Sequence, residues 1–138
     1  MIPEGVETIC DRAFDGSGIA EVSLPTTLVT IESGAFINCP IESVKLPKKL
    51  TSIGQSAFSH TKLSKIDLPD GIREIGQSAF ESTGIKKFTL PDDFEIKKDF
   101  VFDKTVTMVV KKNSKAHKAL EAFMRSYSSD FWTVEFKK

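Results

Sequence analysis

Few side chains in this sequence are of the types that carry catalysis or hold a metal ion. The chain has two histidines, His60 and His117. A zinc site or a nucleophile–base pair needs further His, Cys or carboxylate partners at set spacing, and none stands out beside either residue. We therefore interpret both histidines as solvated side chains, one in a loop and the other in the first turns of a helix.

The two cysteines, Cys10 and Cys39, show no pattern that is typical of redox or metal chemistry. They are too few for a disulfide framework, and their spacing matches neither a CxxC motif nor a set of metal ligands. Two small, buried apolar side chains are the simplest interpretation. A disulfide or a reactive thiol is the alternative that the sequence leaves open.

The acidic and glycine-rich stretches also lack the setting of an active site. Asp92 and Asp93 fall in a predicted turn, where Asp side chains cap backbone groups. The stretch DGSG at residues 15–18 has neither the lysine nor the fold context of a phosphate-binding loop. The sequence therefore predicts a protein that is not an enzyme, with no catalytic residues, no cofactor and no metal.

Composition excludes further classes of protein. The 138 residues suit one domain, and a hydrophobic content of 40% is that of a folded chain. Nineteen Lys and Arg balance nineteen Asp and Glu, whereas nucleic-acid modules usually carry a basic surplus. No apolar run approaches the roughly 18 residues of a membrane span, and no signal peptide opens the chain. We expect no nucleic-acid partner and no membrane insertion.

The elements that position these side chains follow a period of 22 residues, which runs through most of the chain without insertion. Apolar residues recur in six columns, two of which contain the doublets Leu-Pro and Ala-Phe. The leucines are Leu24, Leu46, Leu68 and Leu90, and the phenylalanines are Phe14, Phe36, Phe58 and Phe80. One unit has about six core side chains and cannot bury them alone. Stacked on its copies, the unit makes one turn of a solenoid.

Within each unit, the stretch of the form IAEVSL is predicted to be the main strand. Its last four residues alternate, so that Val22 and Leu24 point inward while Glu21 and Ser23 point outward. Proline then ends the strand, because it cannot donate to a ladder. A second, shorter extended stretch is predicted at VETI, LVTI, LTSI and IREI. Parallel pairing of the copies gives a rise of about 4.8 Å per coil.

The Leu-Pro and Ala-Phe doublets at this spacing resemble the BspA-type leucine-rich repeat. The resemblance is strong over residues 2–91, and LSKIDLPDGIREIGQSAFESTG (residues 63–84) is close to the family's typical unit. It implies a leucine-rich-repeat solenoid, a right-handed superhelix of about four to five coils with a parallel sheet on the concave face. Members are commonly secreted or surface proteins that adhere to host matrix proteins or to other cells. The resemblance thus implies an extracellular or cell-surface protein with a protein ligand.

The fifth copy of the repeat decays. Three apolar residues keep the period, 22 residues after Ile72, Phe80 and Phe88: Phe94, Phe102 and Val110. Lys97 and Lys112, however, occupy the isoleucine and leucine columns. Polar residues suit the last ring of a solenoid, because no further coil covers that ring.

A C-terminal cap is predicted after this fading copy. Ser114 suits the N-cap of a helix with an apolar stripe formed by Ala116, Ala119, Leu120, Phe123 and Tyr127. The stretch FWTVEF is then predicted as a strand, with Trp132, Val134 and Phe136 on one side. We expect one domain over residues 1–138, with repeats over about 2–112 and a cap over 113–138. A helix that binds a partner or a membrane surface is the alternative.

The N-terminus has no corresponding lid. The chain begins within a unit, so Val6, Ile9 and Phe14 would lie on an uncovered ring. We therefore expect the chain to be the C-terminal part of a longer repeat protein. Because exposed apolar ends of solenoids favour association, we also expect end-to-end self-association through this first coil.

The outward side of the predicted strands is the best candidate for function. Eight residues, called the strand face below, flank the buried middle residue of each strand: Glu21, Ser23, Ser43, Lys45, Lys65, Asp67, Lys87 and Thr89. These columns vary while the core columns do not, which is typical both of solvent exposure and of a binding face. We predict a non-enzymatic adhesion module that binds a protein along this face. A structural spacer or stalk, or an intracellular scaffold, is the alternative.

Overall fold

The computed structural model describes residues 1–97, 106–126 and 132–138. Its elements are β1 (Thr8–Ile9), β2 (Thr30–Ile31), β3 (Ser52–Ile53), β4 (Glu74–Ile75), β5 (Lys87–Thr89), β6 (Val106–Val110), α1 (Lys115–Ser126) and β7 (Trp132–Phe136). All pairs between these strands are parallel. The chain forms a β-solenoid of about five turns that ends in one helix and one strand, which confirms the expected fold class.

The regular part consists of four coils, each running from the proline of one Leu-Pro doublet to the leucine of the next. They are coil 1 (residues 3–24), coil 2 (25–46), coil 3 (47–68) and coil 4 (69–90). Strands β1 to β4 form one sheet in which each residue pairs with the residue 22 positions later, as Ile9 does with Ile31. The sequence period is therefore the register of the sheet, and each apolar side chain lies against its own equivalent.

The strands within a coil are not those expected. The shorter extended stretches form the four-stranded sheet. The stretches predicted as main strands, called outer segments below (residues 19–24, 41–46, 63–68 and 85–90), form a strand only in coil 4, as β5. Those of coils 1 and 2 share one bridge, between Glu21 and Ser43. Composition explains this, because Ala, Glu, Lys and Asp are depleted in strands, whereas β6 beside β5 is rich in Val and Thr.

The Ala-Phe turns add another set of bonds between coils. The backbone N–H of Phe14 donates to the carbonyl of Ala35 at 2.9 Å, and equivalent bonds join the next coils. Two positions in each turn have a positive φ, between 51° and 64°. The first is occupied by Arg12, Gly34, Ser56 and Ser78, and the second by Gly16, Asn38, His60 and Ser82. A left-handed φ disfavours β-branched residues, so both positions take Gly or a polar residue.

The phenylalanine column shows how the core is packed. Ring centroids of Phe14, Phe36, Phe58 and Phe80 are 5.2, 5.3 and 5.7 Å apart in sequence, with planes within 15° of parallel. Phe36 and Phe58 are fully buried, whereas Phe14 in coil 1 is half-buried because no coil precedes it in the described chain. Each stacked pair adds about 0.5–1.5 kcal/mol beyond the burial of its area.

The fifth copy pairs with strand β5 of coil 4 two residues earlier than the period predicts. The period places Val110 beside Phe88, but β5 and β6 pair Phe88 with Met108. Because side chains alternate with a period of two, a shift of two residues leaves the same set of side chains pointing into the core. Val106, Met108 and Val110 are accordingly buried. Lys112, expected in the leucine column, lies beyond the end of β6 and is exposed.

Helix α1 and strand β7 cover the C-terminal end of the core, as expected for a cap. Ser114 Oγ accepts the backbone N–H of His117 at 3.1 Å, which is the bond of an N-cap. Ala116 and Leu120 are fully buried, and β7 pairs with β6 along five residues. Two further residues expected in the core, Phe102 and Tyr127, lie outside the described residues.

The expectation that His117 is solvated is wrong, whereas His60 is exposed as expected. His117 is 9% exposed, and its ring lies edge-on to Phe136 with centroids 5.0 Å apart. Its Nδ1 accepts the backbone N–H of Asn113 at 3.1 Å. The sequence interpretation missed this role because it did not consider the turn before the helix, whose backbone N–H at Asn113 donates to the His117 ring.

Candidate binding face

All eight residues of the strand face are exposed. Between them, the middle residue of each outer segment points into the core, as the alternation predicts. Ile66 and Phe88 are 5% and 1% exposed, and Val22 and Val44 are half-buried. The outer segments therefore present varied polar side chains to solvent over a repeated apolar layer.

A depression of about 560 Å³ crosses the outer segments of coils 1 and 2. It is lined by four residues of the strand face, by two middle-column valines and by the first residue: Glu21, Ser23, Ser43, Lys45, Val22, Val44 and Met1. Its volume falls within the roughly 300–1,000 Å³ of ligand pockets. The structure thus brings half of the strand face around one concavity, and the other four residues continue the face over coils 3 and 4.

The lining of the depression mixes apolar and polar residues. Its apolar residues are the exposed Met1 and the half-buried Val22 and Val44, which are more accessible than their counterparts Ile66 and Phe88. Its polar residues supply a carboxylate and an ammonium group from coils 1 and 2, together with two serine hydroxyls.

The lysines of the strand face differ in their partners. Lys87 Nζ lies 2.6 Å from Oε2 of Glu135 in β7, so this charge is compensated by the cap. Lys45 and Lys65 are exposed and make no ion pair within residues 1–97, 106–126 and 132–138. The sequence could not indicate the pair with Glu135, because Glu135 lies outside the repeat and its register is set by β7.

Asp92, in the turn after coil 4, is the centre of a second group of charges. Its carboxylate oxygens lie 2.8 Å from Lys137 Nζ and 3.4 Å from Lys111 Nζ. The hydrogen bond from Lys137, assisted by the charges of both lysines, lowers the pKa of Asp92. The arrangement ties the turn to the ends of β6 and β7, and it supports the earlier interpretation that Asp92 and Asp93 belong to a turn.

The two cysteines lie in different environments. Cys39 is buried and its Sγ donates to the carbonyl of Phe14 at 2.9 Å, whereas Cys10 is exposed, and both are free thiols. The interpretation of two buried cysteines is therefore wrong for Cys10, whose column continues with Glu32 and Gly54 and is not a core column. In the part of the chain that the structure describes, no cluster of three or more His, Cys, Asp or Glu could hold a metal ion.

A family model for the BspA type leucine rich repeat region matches residues 1–108 in six copies. The chain belongs to the BspA-type leucine-rich repeat family. Repeats of this family commonly mediate protein–protein interaction, and proteins with this fold are typically not enzymes. BspA-type proteins are often associated with the cell surface.

A leucine-rich repeat protein from Bacteroides ovatus, solved by crystallography, is similar in structure, with a TM-score of 0.59 and 22% sequence identity. The likeness covers 79% of this BspA-type chain and 32% of that protein, so the chain spans about a third of its length. At this identity the likeness concerns the fold. No curated protein matches the sequence. Among the described residues, no helix combines the length and the apolar composition needed to cross a membrane.

Proposed function

We propose that this BspA-type domain is a non-enzymatic protein-binding module whose ligand lies along the strand face. The observation that carries the proposal is the depression over coils 1 and 2, which is lined by four residues of the strand face together with Val22, Val44 and Met1. Repeat proteins commonly bind along such extended surfaces. The common role of the family in protein–protein interaction supports the same assignment.

We further propose that the module acts in adhesion, as part of a secreted or cell-surface protein, with a host matrix or cell-surface protein as its ligand. The frequent surface association of the family supports this location. We treat residues 1–138 as one domain, with repeats over about 2–112 and a cap over 113–138. Burial of the cap residues Ala116 and Leu120 in the same core as the coils supports a single unit.

The proposal is tested by blocking the depression without disturbing the core. Ser43 is exposed and lines the depression, so Ser43→Trp fills it from the solvent side. Gln77→Trp is the matched control, because Gln77 is equally exposed but lies on the Ala-Phe turn of coil 4. Binding to immobilised extracellular matrix proteins and to host cells should be lost with the first variant and kept with the second. Equal binding by both variants would show that the depression is not part of the ligand site.

A structural spacer is the second candidate. The exact register of the four coils and the continuous phenylalanine stack support it, because they give a stiff rod that needs no ligand. A wild-type domain that binds none of the matrix proteins or cells would favour this candidate. An intracellular scaffold would instead bind cytosolic proteins through the same face, and Ser43→Trp tests that interaction equally.

End-to-end self-association remains a prediction and is part of the proposal. Val6 and Phe14 of coil 1 are half-buried, whereas their counterparts Leu28 and Phe36 are fully buried, so coil 1 retains apolar area that a second copy could cover. Light scattering over a range of concentrations should show a dimer that Phe14→Ser weakens. A monomer at every concentration would contradict the prediction.

A further inference from the structure

Strand β1 is an open edge of the sheet formed by β1 to β4, because β2 is its one neighbour among the described strands. In coil 2, the backbone N–H of Thr30 donates to the Glu7 carbonyl, so a residue at this position directs its N–H toward the preceding coil. Thr8 occupies the same position in coil 1. Because the N–H and C=O of one strand residue point to the same side, both groups of Thr8 point away from β2. Neither has a partner among the described residues.

The free edge of β1 is complementary to itself. An edge strand that presents an unpaired donor and an unpaired acceptor is a template for pairing with another strand. In an antiparallel hydrogen-bonded pair, two residues that lie opposite each other exchange both of their N–H···O bonds. A twofold axis through Thr8 and normal to the sheet produces this pair between two copies of the chain, since each copy supplies the donor and the acceptor that the other needs.

The same end of the solenoid carries the apolar area that a second copy could cover. Val6 and Phe14 of coil 1 are half-buried, whereas their counterparts in coil 2 are fully buried. The other end of the core differs, because α1 covers it with the fully buried Ala116 and Leu120. A copy that lies on coil 1 therefore buries more apolar area with its own coil 1 than with its cap.

The Ala-Phe turn of coil 1 constrains how two copies can meet. Its N–H groups donate to carbonyls of coil 2, as that of Phe14 does to Ala35. Toward the free end the turn presents carbonyls without a partner among the described residues, those of Asp11, Ala13 and Asp15. Two such turns face to face would oppose acceptor to acceptor. The twofold axis at Thr8 avoids this, because it reverses the chain direction and sets the turn after β1 in one copy over the residues before β1 in the other.

We propose, resting on the self-association proposed above, that two copies associate head-to-head about a twofold axis at Thr8, with β1 antiparallel to β1 of the second copy. The two four-stranded sheets then form one continuous sheet, and the open ends of the two coils 1 cover each other. An isologous contact of this kind is closed, because each copy uses the same surface and no further copy can add to it. The association therefore stops at the dimer.

Proline at position 8 tests the pairing, because it removes the outward N–H of Thr8 and no backbone bond within the described chain. Thr8→Pro should raise the Kd of the dimer at least about tenfold in analytical ultracentrifugation, since two hydrogen bonds are lost in each dimer. Thr8→Val is the matched control, because it keeps the N–H and should leave the Kd unchanged. Circular dichroism of the dilute variants checks that both are folded. Equal dimerisation by both would overturn the pairing and leave the self-association in place.

A distance across the dimer tests the head-to-head arrangement independently of these variants. A nitroxide label on Glu74→Cys, at an exposed position of β4, is introduced together with Cys10→Ser, while Cys39 is buried. Head-to-head pairing places the two β4 strands seven strand spacings apart, so double electron–electron resonance should report a distance of about 34 Å. A different distance, or oligomers larger than a dimer, would overturn the arrangement. A monomer at every concentration would instead contradict the self-association itself.

Discussion

Coils 1 to 4 and the C-terminal segment that follows them are held together by different interactions. In the coils, equivalent residues stack, as the phenylalanine column and the in-register strands β1 to β4 show. Among the described residues, every pair between a lysine and a carboxylate involves at least one residue from Lys87 onward. The coils themselves hold the local pair Arg12–Asp15.

The difference follows from repetition. A residue repeated every 22 positions has itself as its neighbour, about 4.8 Å away across the ladder. That arrangement suits apolar and aromatic side chains, but a repeated charge would face like charges in the adjacent coils. Ion pairs need unlike residues on neighbouring rungs, and the non-repeating C-terminal segment supplies them, as in Lys87–Glu135. Among the described residues, the charged side chains of the strand face in coils 1 to 3 make no ion pair.

The largest expected effect is in the middle of the stack. Phe58 is fully buried between two other rings, so Phe58→Ala should lower the free energy of unfolding by about 3–5 kcal/mol. Phe136→Ala in the C-terminal segment should cost much less, because Phe136 is 49% exposed. Urea denaturation of both variants measures the difference. Similar losses would mean that the stack is not the main source of stability.

A close backbone approach between coils gives the next largest effect. A Cβ atom on Gly76 would lie 2.4 Å from the backbone N of Gln55, whereas one on Gly18 would meet nothing within 4 Å. Gly76→Ala should therefore destabilise the chain by about 1–3 kcal/mol, since the coils would have to separate. Gly18→Ala should be close to neutral. Thermal melts of the two variants test this, and equal melting temperatures would contradict the packing between coils 3 and 4.

In the C-terminal segment, the N-cap of α1 should contribute less to stability than the contacts at Phe58 and Gly76. Ser114→Ala removes the acceptor of the His117 N–H and should cost about 1 kcal/mol. The loss should appear as faster hydrogen exchange in α1, with the amides of β1 to β4 unaffected. Ser126→Ala is the control, because Ser126 Oγ bonds the Ala122 carbonyl at the exposed end of the same helix. Faster exchange throughout the coils would show that cap and coils unfold as one unit.

The smallest expected effect is the loss of the Asp92 ion pairs in acid. The pKa of Asp92 is lowered from its ordinary value of 3.8, chiefly by the hydrogen bond from Lys137. A lowered pKa in the folded chain means that its stabilising contribution is present above pH 3.8 and is lost as the pH falls through the folded-state pKa. Lys137→Met should therefore move the Asp92 pKa back toward its ordinary value in a carboxyl NMR titration. Lys118→Met should not, and equal titration in both variants would exclude the contact.

Much of the fold could be predicted because it repeats. The spacing of Ile9 and Ile31 fixes the register of the sheet, and the alternation around Val22 separates inward from outward residues. The period could not reveal which extended stretch forms the sheet, since that depends on pairing with the neighbouring coil. It also could not place Met108 beside Phe88, because that two-residue shift arises where the repeat breaks down.

The candidate site could be predicted only in part for the same reason. The period identifies outward columns such as Ser23 and Ser43, because inward and outward positions alternate. It does not reveal that Val22 and Val44 are only half-buried whereas Ile66 and Phe88 are buried, which depends on how tightly adjacent coils pack. Nor does it indicate that Glu135 of the cap compensates Lys87.

The central claim is that the outward residues of the coils, and not the cap, form the binding surface. Amide NMR spectra of the 15N-labelled chain, recorded while a soluble extracellular matrix protein that the chain binds is added, test it most directly. We predict shifts concentrated at residues 21–23, 43–45 and 65–67, with α1 and the Ala-Phe turns unchanged. Shifts centred on α1 and β7, with none over coils 1 and 2, would contradict the account.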